Sequence, residues 1–163
     1  MTSVERQFAQ LVTQLDYSMF LVTAAHGEER AGCLVGFASQ VSIDPPRFLV
    51  CLSNKNRTYR VAERADTLIV HLVGSSQERL AALFGGETGD QVDKFALCDW
   101  REGPGGAPVL RELQNWFAGR ILERLPLGDH AGYWLEPVEV QSGEREQTLT
   151  FRQVKWIDPG HEP

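Results

Sequence analysis

The chain has 163 residues, 42% of them hydrophobic and 23% charged, and this composition excludes disordered, collagen-like and disulfide-scaffold proteins. The length fits one domain with a sizeable core, so we expect a single domain over residues 1–163. The 22 acidic side chains outnumber the 16 basic ones, and the net charge of -6 argues against nucleic-acid binding through a broad cationic face.

The first third of the chain predicts one helix and three strands. Apolar residues recur at helical spacing over residues 4–15, which indicates a short amphipathic helix. Residues 18–25 and the apolar run at residues 33–43 are then predicted to be the strands of a hairpin. The Pro-Pro pair at residues 45–46 lacks backbone donors, so the chain must bend or run along a sheet edge there before a third strand at residues 47–53.

Helices and strands follow one another without regular alternation in the middle of the chain. We predict a helix over residues 58–65 that begins with Thr58 as its N-cap. A strand over residues 68–73 and a helix over residues 76–85 follow. Residues 85–108 are rich in glycine and turn formers, and a loop of that length is typical of a functional or mobile segment. We therefore predict a lid or a rim there.

The last third of the chain is rich in β-branched and aromatic residues. This composition favours strands over residues 115–125, 128–143 and 149–157, and the tail at residues 158–163 is expected to be frayed. Strands then outnumber helices. The sequence therefore predicts a mainly β fold with some α-helix, in which an antiparallel, Greek-key-like sheet closes into a barrel with helices packed outside.

The N-terminus and the cysteines indicate the compartment. The first twenty residues lack the apolar stretch and cleavage site of a secretory signal, and no apolar run is long enough to span a membrane. Cys33, Cys51 and Cys98 form no CxxC pair, and none has an adjacent basic residue that would mark a thiolate nucleophile. We therefore expect a cytoplasmic protein with reduced thiols and no membrane partner.

Motifs for metal binding, hydrolysis and dinucleotide binding are missing from the sequence. His26, His71, His130 and His161 give no HExxH and no Cys/His ligand spacing, so no metal site is expected. His71 lies in the middle of a predicted strand, where a satisfied core or interface histidine is expected. There is no GxSxG, GxGxxG or P-loop motif either.

A polar, cationic stretch, SNKNRTYR, follows the third predicted strand. Ser53, Asn54 and Asn56 offer directed hydrogen-bond donors. Thr58 adds a hydroxyl and Lys55 a positive charge, next to the free N–H groups of a predicted helix start. The stretch is consistent either with a phosphate-binding site or with a solvated turn in which Thr58 is an ordinary N-cap.

A second unusual stretch, LVGFASQVS, precedes the Pro-Pro bend. Gly36, Ser39 and Gln40 interrupt the alternation of a core strand, and glycine lets another group approach the backbone closely. A planar ligand read by backbone N–H and C=O groups fits this pattern. A β-bulge with a polar outer face fits it equally well.

These motifs together resemble the flavin reductase-like, FMN-binding split-barrel domain family. The SxDPP corner, followed by an apolar strand and KNRT, is the most specific part of the resemblance, which runs from about residue 17 to residue 138. It implies a split-barrel domain with a core at about residues 17–157. The other matching stretches are SMFLVTA, LIVHLV, SQERLAALFG, DKF and LGDH.

The resemblance implies a flavin site on both sides of the Asp-Pro-Pro corner. His130, in the GDH motif, would lie near the reacting face, where an imidazole can donate to the nicotinamide or to charge on the reduced ring. The implied residues are Val35, Gly36, Phe37, Ser39 and Gln40 for the isoalloxazine, and Ser53, Asn54, Lys55, Asn56 and Thr58 for the ribityl phosphate.

The implied activity is that of an NAD(P)H-dependent flavin reductase, in which hydride passes from nicotinamide to FMN. Many family members have Thr near Leu34 and Ser or Asn near Gly36, so FAD and a deazaflavin stay open as alternative ligands. A homodimer and a monooxygenase that receives reduced flavin are the implied partners. The alternatives are a flavoredoxin-like FMN electron carrier, a deazaflavin-dependent reductase, and a non-catalytic module that binds flavin or another phosphorylated ligand.

Overall fold

A seven-stranded antiparallel sheet dominates the computed structural model, which describes residues 1–159. The order of its strands is β2-β1-β5-β8-β9-β4-β3, and β6 pairs separately with β7. The strands are β1 (Phe20–His26), β2 (Glu29–Val35), β3 (Ala38–Ser42), β4 (Arg47–Ser53), β5 (Thr67–Leu72), β6 (Trp100–Glu102), β7 (Pro108–Leu110), β8 (Trp116–Pro126) and β9 (His130–Gln141). The helices are α1 (Ser3–Val12), α2 (Arg57–Ala62), α3 (Glu78–Gly86) and α4 (Phe151–Val154).

The sheet curls because its two edge strands are neighbours in the chain. β2 and β3 lie at opposite edges of the sheet, yet only Gly36 and Phe37 separate them. The backbone N–H of Cys51 donates to the carbonyl of Phe37 at 2.9 Å, which ties this short connection to β4. The mainly β, antiparallel fold predicted from the sequence is confirmed. The single strand predicted at residues 33–43 is wrong, because the chain crosses there from one edge to the other.

Two apolar clusters fill the space between the sheet and the helices. One lies beneath α2 and includes Val61 and Tyr133, and the other lies beneath α3 and α4 and includes Leu80, Phe84 and Val154. Full burial of such a side chain contributes roughly 1.5–3 kcal/mol relative to its exposure to water. The two clusters therefore hold α2 and α3 at fixed positions on the sheet.

A buried lysine fixes the end of α3 against β2. The ammonium group of Lys94 donates to the carbonyls of Gly32 and Phe84 at 3.1 and 3.0 Å. Phe84 belongs to the last turn of α3, where carbonyls have no partner within the helix. Burial lowers the pKa of Lys94. The lysine of the DKF motif thus joins the two elements.

Three sequence-based expectations need correction. Residues 149–157 do not form a strand: α4 begins after Thr150, whose backbone N–H donates to the side chain of Gln153 at 2.9 Å in a capping box. α2 is capped by Asn56 rather than Thr58, because the Asn56 side chain accepts from the Thr58 N–H. Residues 85–108 are not one open loop, since β6 lies within them and pairs with β7, which begins at Pro108.

The ends of the chain bear on two further expectations. The predicted N-terminal helix is present as α1, and none of its residues is buried. Of the tail predicted to fray, residues 160–163 lie outside the described residues, as does His161. Within residues 1–159, no helix is both long enough and apolar enough to cross a membrane.

Candidate functional site

A cavity of about 470 Å³ opens where β2, β4 and β9 meet the segment before β1 and the C-terminal segment. We call it the main cavity. Its volume falls in the range that holds small ligands and cofactors. Among the described residues that line it, none is Asp, Glu, Lys or Arg. It is lined by Tyr17, Met19, Cys33, Leu34, Val35, Gly36, Phe37, Cys51, Leu52, Ser53, Asn56, His130, Phe151 and Pro159.

Aromatic rings form one wall of the main cavity. Tyr17 stacks on Phe151 with ring centroids 5.1 Å apart and an interplanar angle of 16°. Phe37 lies 6.2 Å from Tyr17 and 5.2 Å from the ring of His130, and it is 56% exposed. An exposed phenyl ring between two other rings at a cavity is suited to pack against a planar ligand.

Gly36 is required at its position because of this wall. A Cβ atom at residue 36 would lie 2.6 Å from Cε2 of Tyr17 and 3.3 Å from the sulfur of Met19. Such a contact is too short for carbon atoms, so any side chain there would displace Tyr17. The absence of a side chain therefore lets the Tyr17 ring pack directly against the backbone of the β2–β3 connection.

The polar end of the main cavity is built by the end of β4 and the start of α2. Ser53 pairs with His130 in the register of β4 and β9. The Asn56 side chain accepts from the Thr58 N–H at 2.9 Å, which orients it as the N-cap of α2. Asn54 ties this segment to the GDH loop, because its N–H donates to the Asp129 carbonyl at 2.9 Å. Hydroxyl and amide groups are thereby held at one end of an otherwise apolar cavity.

Asp129 orients the ring of His130. Its Nδ1 lies 2.6 Å from Oδ1 of Asp129, and a carboxylate can only accept, so Nδ1 carries the proton. The hydrogen bond from His130 is the main cause that lowers the pKa of Asp129. Nε2 is then the ring nitrogen left to interact with a ligand.

The cysteines of the main cavity are neutral thiols. Burial raises the pKa of Cys33 and of Cys51. Neither is paired in a disulfide. They contribute apolar wall rather than a nucleophile. Among residues 1–159, no group of three or more His, Cys, Asp or Glu side chains is arranged to hold a metal ion.

The structure brings together part of the predicted site. Two stretches that are distant in sequence, one on each side of the Asp-Pro-Pro corner, line the same cavity together with the GDH histidine. The predicted residues on its lining are Val35, Gly36, Phe37, Ser53, Asn56 and His130.

The other predicted site residues lie outside this lining. Ser39 and Gln40 are exposed on β3, and both side chains donate to nearby backbone carbonyls. The hydroxyl of Thr58 is buried in the first turn of α2 and lies beside the Cys33 thiol. Among the described residues, no nitrogen or oxygen atom forms a hydrogen bond with it. Asn54 and Lys55 are exposed next to the polar end. The roles of these five residues in flavin binding stay predictions.

The sequence analysis did not predict the aromatic wall or the part of it that the C-terminal segment contributes. Tyr17 and Phe151 meet only because the segment around α4 returns to the start of β1, where Ser18 bridges to Thr150. The available signal was the capping pattern of Thr150 and Gln153, which marks a helix start in a stretch assigned to a strand.

Comparison with known proteins identifies the family. The model of the flavin reductase like domain matches residues 13–157. The chain belongs to this family. Among flavin reductase-like relatives, "FMN reductase (NADH) RutF" of Methylorubrum extorquens is 32% identical over 150 residues, which are 91% of this chain and 72% of the relative. The RutF protein of Klebsiella pneumoniae subsp. pneumoniae is 28% identical over 154 residues, covering 94% and 90% of the two chains.

Solved structures of flavin reductase-like proteins share the fold. The NADH:FAD oxidoreductase SgcE6 of Streptomyces globisporus C-1027 superposes with a TM-score of 0.82 at 22% identity, covering 92% of this chain and 89% of its own. A flavin reductase domain protein from Arthrobacter sp. FB24 gives 0.81 at 23% identity, with coverages of 90% and 89%. This protein spans only 50% of a longer chain from Sinorhizobium meliloti 1021, which gives a TM-score of 0.77 at 24% identity and covers 89% of this chain.

Proposed function

We propose that the protein is an NAD(P)H-dependent flavin reductase that binds FMN in the main cavity. The observation that carries this proposal is the shape of that cavity in a member of this family. An aromatic wall that packs against the backbone of Gly36 lines this cavity together with the polar side chains of Ser53 and Asn56. FMN likewise combines a planar ring with a phosphate. The names of the RutF relatives support FMN and NADH as the ligands.

Each part of the cavity has a role in this proposal. The β2–β3 connection at Gly36 supplies backbone groups to the edge of the ring, and Tyr17 and Phe37 exclude water from its surroundings. Ser53 and Asn56 donate to the phosphate. The imidazole of His130, held by Asp129, donates or accepts at the nicotinamide or ring edge. Bound flavin supplies the hydride chemistry.

The test is to purify the protein, record its visible spectrum, and follow NADH and NADPH oxidation with and without added FMN. Flavin-dependent oxidation of reduced nicotinamide is expected. Retained flavin without oxidation would favour a flavoredoxin-like electron carrier, and oxidation only with a deazaflavin would favour a deazaflavin-dependent reductase. A colourless protein that ignores flavins would favour a binding module for another ligand. Each of these three outcomes contradicts the proposal.

We expect that replacing His130 with alanine lowers kcat for NADH oxidation by about tenfold or more, because a positioned donor at the reacting centre is lost. The Kd for FMN, measured by quenching of flavin fluorescence, should change by less than about threefold. The matched control is His26→Ala, since His26 is exposed at the end of β1 and does not line the main cavity. A variant that loses FMN affinity but keeps its kcat would show that His130 only binds the ring.

We further propose a homodimer, and a monooxygenase as the consumer of reduced flavin. The apolar side of α1 is uncovered, with Phe8 and Leu11 62% and 61% exposed, so a second copy would bury it. Light scattering at a range of concentrations tests the dimer.

The monooxygenase is supported by the likeness to nitrilotriacetate monooxygenase component B of Mycobacterium thermoresistibile, at 23% identity. The free thiols fit the cytoplasmic location that we propose.

A further inference from the structure

A further cavity, of about 350 Å³, lies between the start of β2, the start of α2 and residues 89–95. We call it the polar cavity. Among the described residues, none lines both this cavity and the main cavity. More than half of its lining residues carry a charge, and the cationic ones are Arg30, Arg57 and Lys94.

Lys94 brings a buried positive charge to the polar cavity. The residue is 5% exposed, and its ammonium group donates to the carbonyls of Gly32 and Phe84, which leaves one of its three donors unused. In the described part of the chain Lys94 forms no ion pair, although Glu87 attracts it through space. Because a buried charge without a counter-ion is costly, an anion in this cavity would stabilise the ammonium group.

Two arginines add positive charge to the same cavity. Both oxygens of Asp90 accept from the guanidinium of Arg60, at 2.6 and 2.7 Å, whereas Arg57 approaches Asp90 only to 3.6 Å. Arg60 is therefore the main partner of Asp90, and Arg57 keeps donors for another anion. Cζ of Arg30 lies 4.5 Å from the centroid of the Trp100 ring, and within residues 1–159 Arg30 has no carboxylate partner.

The acidic residues on the lining do not cancel this positive charge. Glu29 pairs with Arg64 at 2.9 Å, and the side chain of Asp93 accepts from the N–H of Phe95 at 3.1 Å. Glu28 is exposed at the turn between β1 and β2. With the arginine partners of Asp90 and Glu29 counted, five cations stand against four carboxylates around the cavity. The local balance is thus positive in a chain whose net charge is -6.

Two glycines allow the walls of the polar cavity to close on these cations. A Cβ atom on Gly89 would lie 2.7 Å from Cδ of Arg57, and one on Gly32 would lie 2.8 Å from Cε1 of Phe84. Side chains at the two positions would push the Arg57 stem and the Phe84 ring out of place. The packing therefore holds Arg57 and the carbonyl partners of Lys94 at this cavity.

We propose that the polar cavity binds a compact dianion, either a phosphate group or a small dicarboxylate. Arg30, Arg57 and Lys94 come from three separate parts of the chain and line the one cavity. Guanidinium groups bind phosphate and carboxylate through paired hydrogen bonds, and the ammonium group adds a point charge. The volume is at the lower end of the range for ligand sites, which favours a compact ligand. This site is separate from the proposed flavin site and does not depend on it.

The experiment is calorimetric titration at low ionic strength with inorganic phosphate and, separately, with succinate. Binding of at least one of them is expected, and the tighter of the two identifies the class of dianion. Arg57→Gln and Arg30→Gln should each weaken that binding by about five- to tenfold, because each removes a charged donor. Arg145→Gln is the matched control, since Arg145 is exposed and lines a different cavity. The arginines are chosen because Lys94 also joins α3 to β2.

A second arm repeats the titration with protein that is saturated with FMN. The affinity for the dianion should change by less than about twofold, because the two cavities have separate linings. If neither anion binds, if both arginine variants bind as the wild type does, or if FMN displaces the anion, the dianion site is overturned while the flavin reductase proposal stands. If FMN itself does not bind, the proposed function fails, and the arginine variants still decide the dianion site.

Discussion

Replacing Asn56 with aspartate is expected to weaken FMN binding by at least about tenfold and to leave riboflavin binding nearly unchanged. Aspartate caps a helix about as well as asparagine, so the start of α2 should be preserved. The substitution removes an amide donor from the polar end of the main cavity and places a carboxylate there. One charge-assisted hydrogen bond to a phosphate is worth about 1.5–3 kcal/mol, which alone corresponds to about tenfold or more in affinity.

The measurement is a pair of titrations, one with FMN and one with riboflavin, which has the same ring but no phosphate. Gln10→Glu is the matched control, because it makes the same amide-to-carboxylate change on the exposed surface of α1. Equal weakening of FMN and riboflavin would place Asn56 at the ring rather than at the phosphate. Unchanged FMN affinity would remove the polar end from the proposed site.

The sequence predicted which stretches line the main cavity because their physical requirements are local. Gly36 predicts a close approach to the backbone within an apolar run, which Tyr17 makes in the structure, and the cluster of hydroxyl and amide residues is consistent with anion binding. The Pro-Pro pair between them predicts either a bend or a sheet edge, and in the structure the chain turns there so that β4 lies beside β3. Ser53 and Val35 therefore reach the same cavity.

The remaining lining depends on contacts that no local pattern specifies. Ser39 and Thr58 match the family motif as well as Ser53 does, yet the pleat of β3 and the first turn of α2 direct them elsewhere. Asn56 and Thr58 are both good caps two residues apart, and the choice depends on which side chain reaches a free N–H group. The stacking of Tyr17 on Phe151 requires the whole fold.

The free energy of unfolding is expected to fall by about 3 kcal/mol through His71 alone as the pH is lowered from 6.5 to 4. His71 is buried in β5. Its Nδ1 donates to the Leu21 carbonyl at 2.9 Å, and its Nε2 accepts from the Leu110 N–H at 3.0 Å, so the folded protein holds the neutral ring. Burial lowers the pKa of His71 from 6.5 to about 4.

The unfolded chain binds a proton at His71 as the pH falls through 6.5, whereas the folded protein does not until about pH 4. The stabilisation is therefore complete above pH 6.5, declines through this window, and is gone below it. Urea unfolding followed by tryptophan fluorescence at several pH values measures the slope, and His71→Gln supplies a non-titrating side chain with a donor and an acceptor. Carboxylates contribute mainly below pH 5 and do so in both proteins. Equal slopes for the wild type and the variant between pH 6.5 and 5 would mean that His71 does not link β1, β5 and β7 as a neutral bridge.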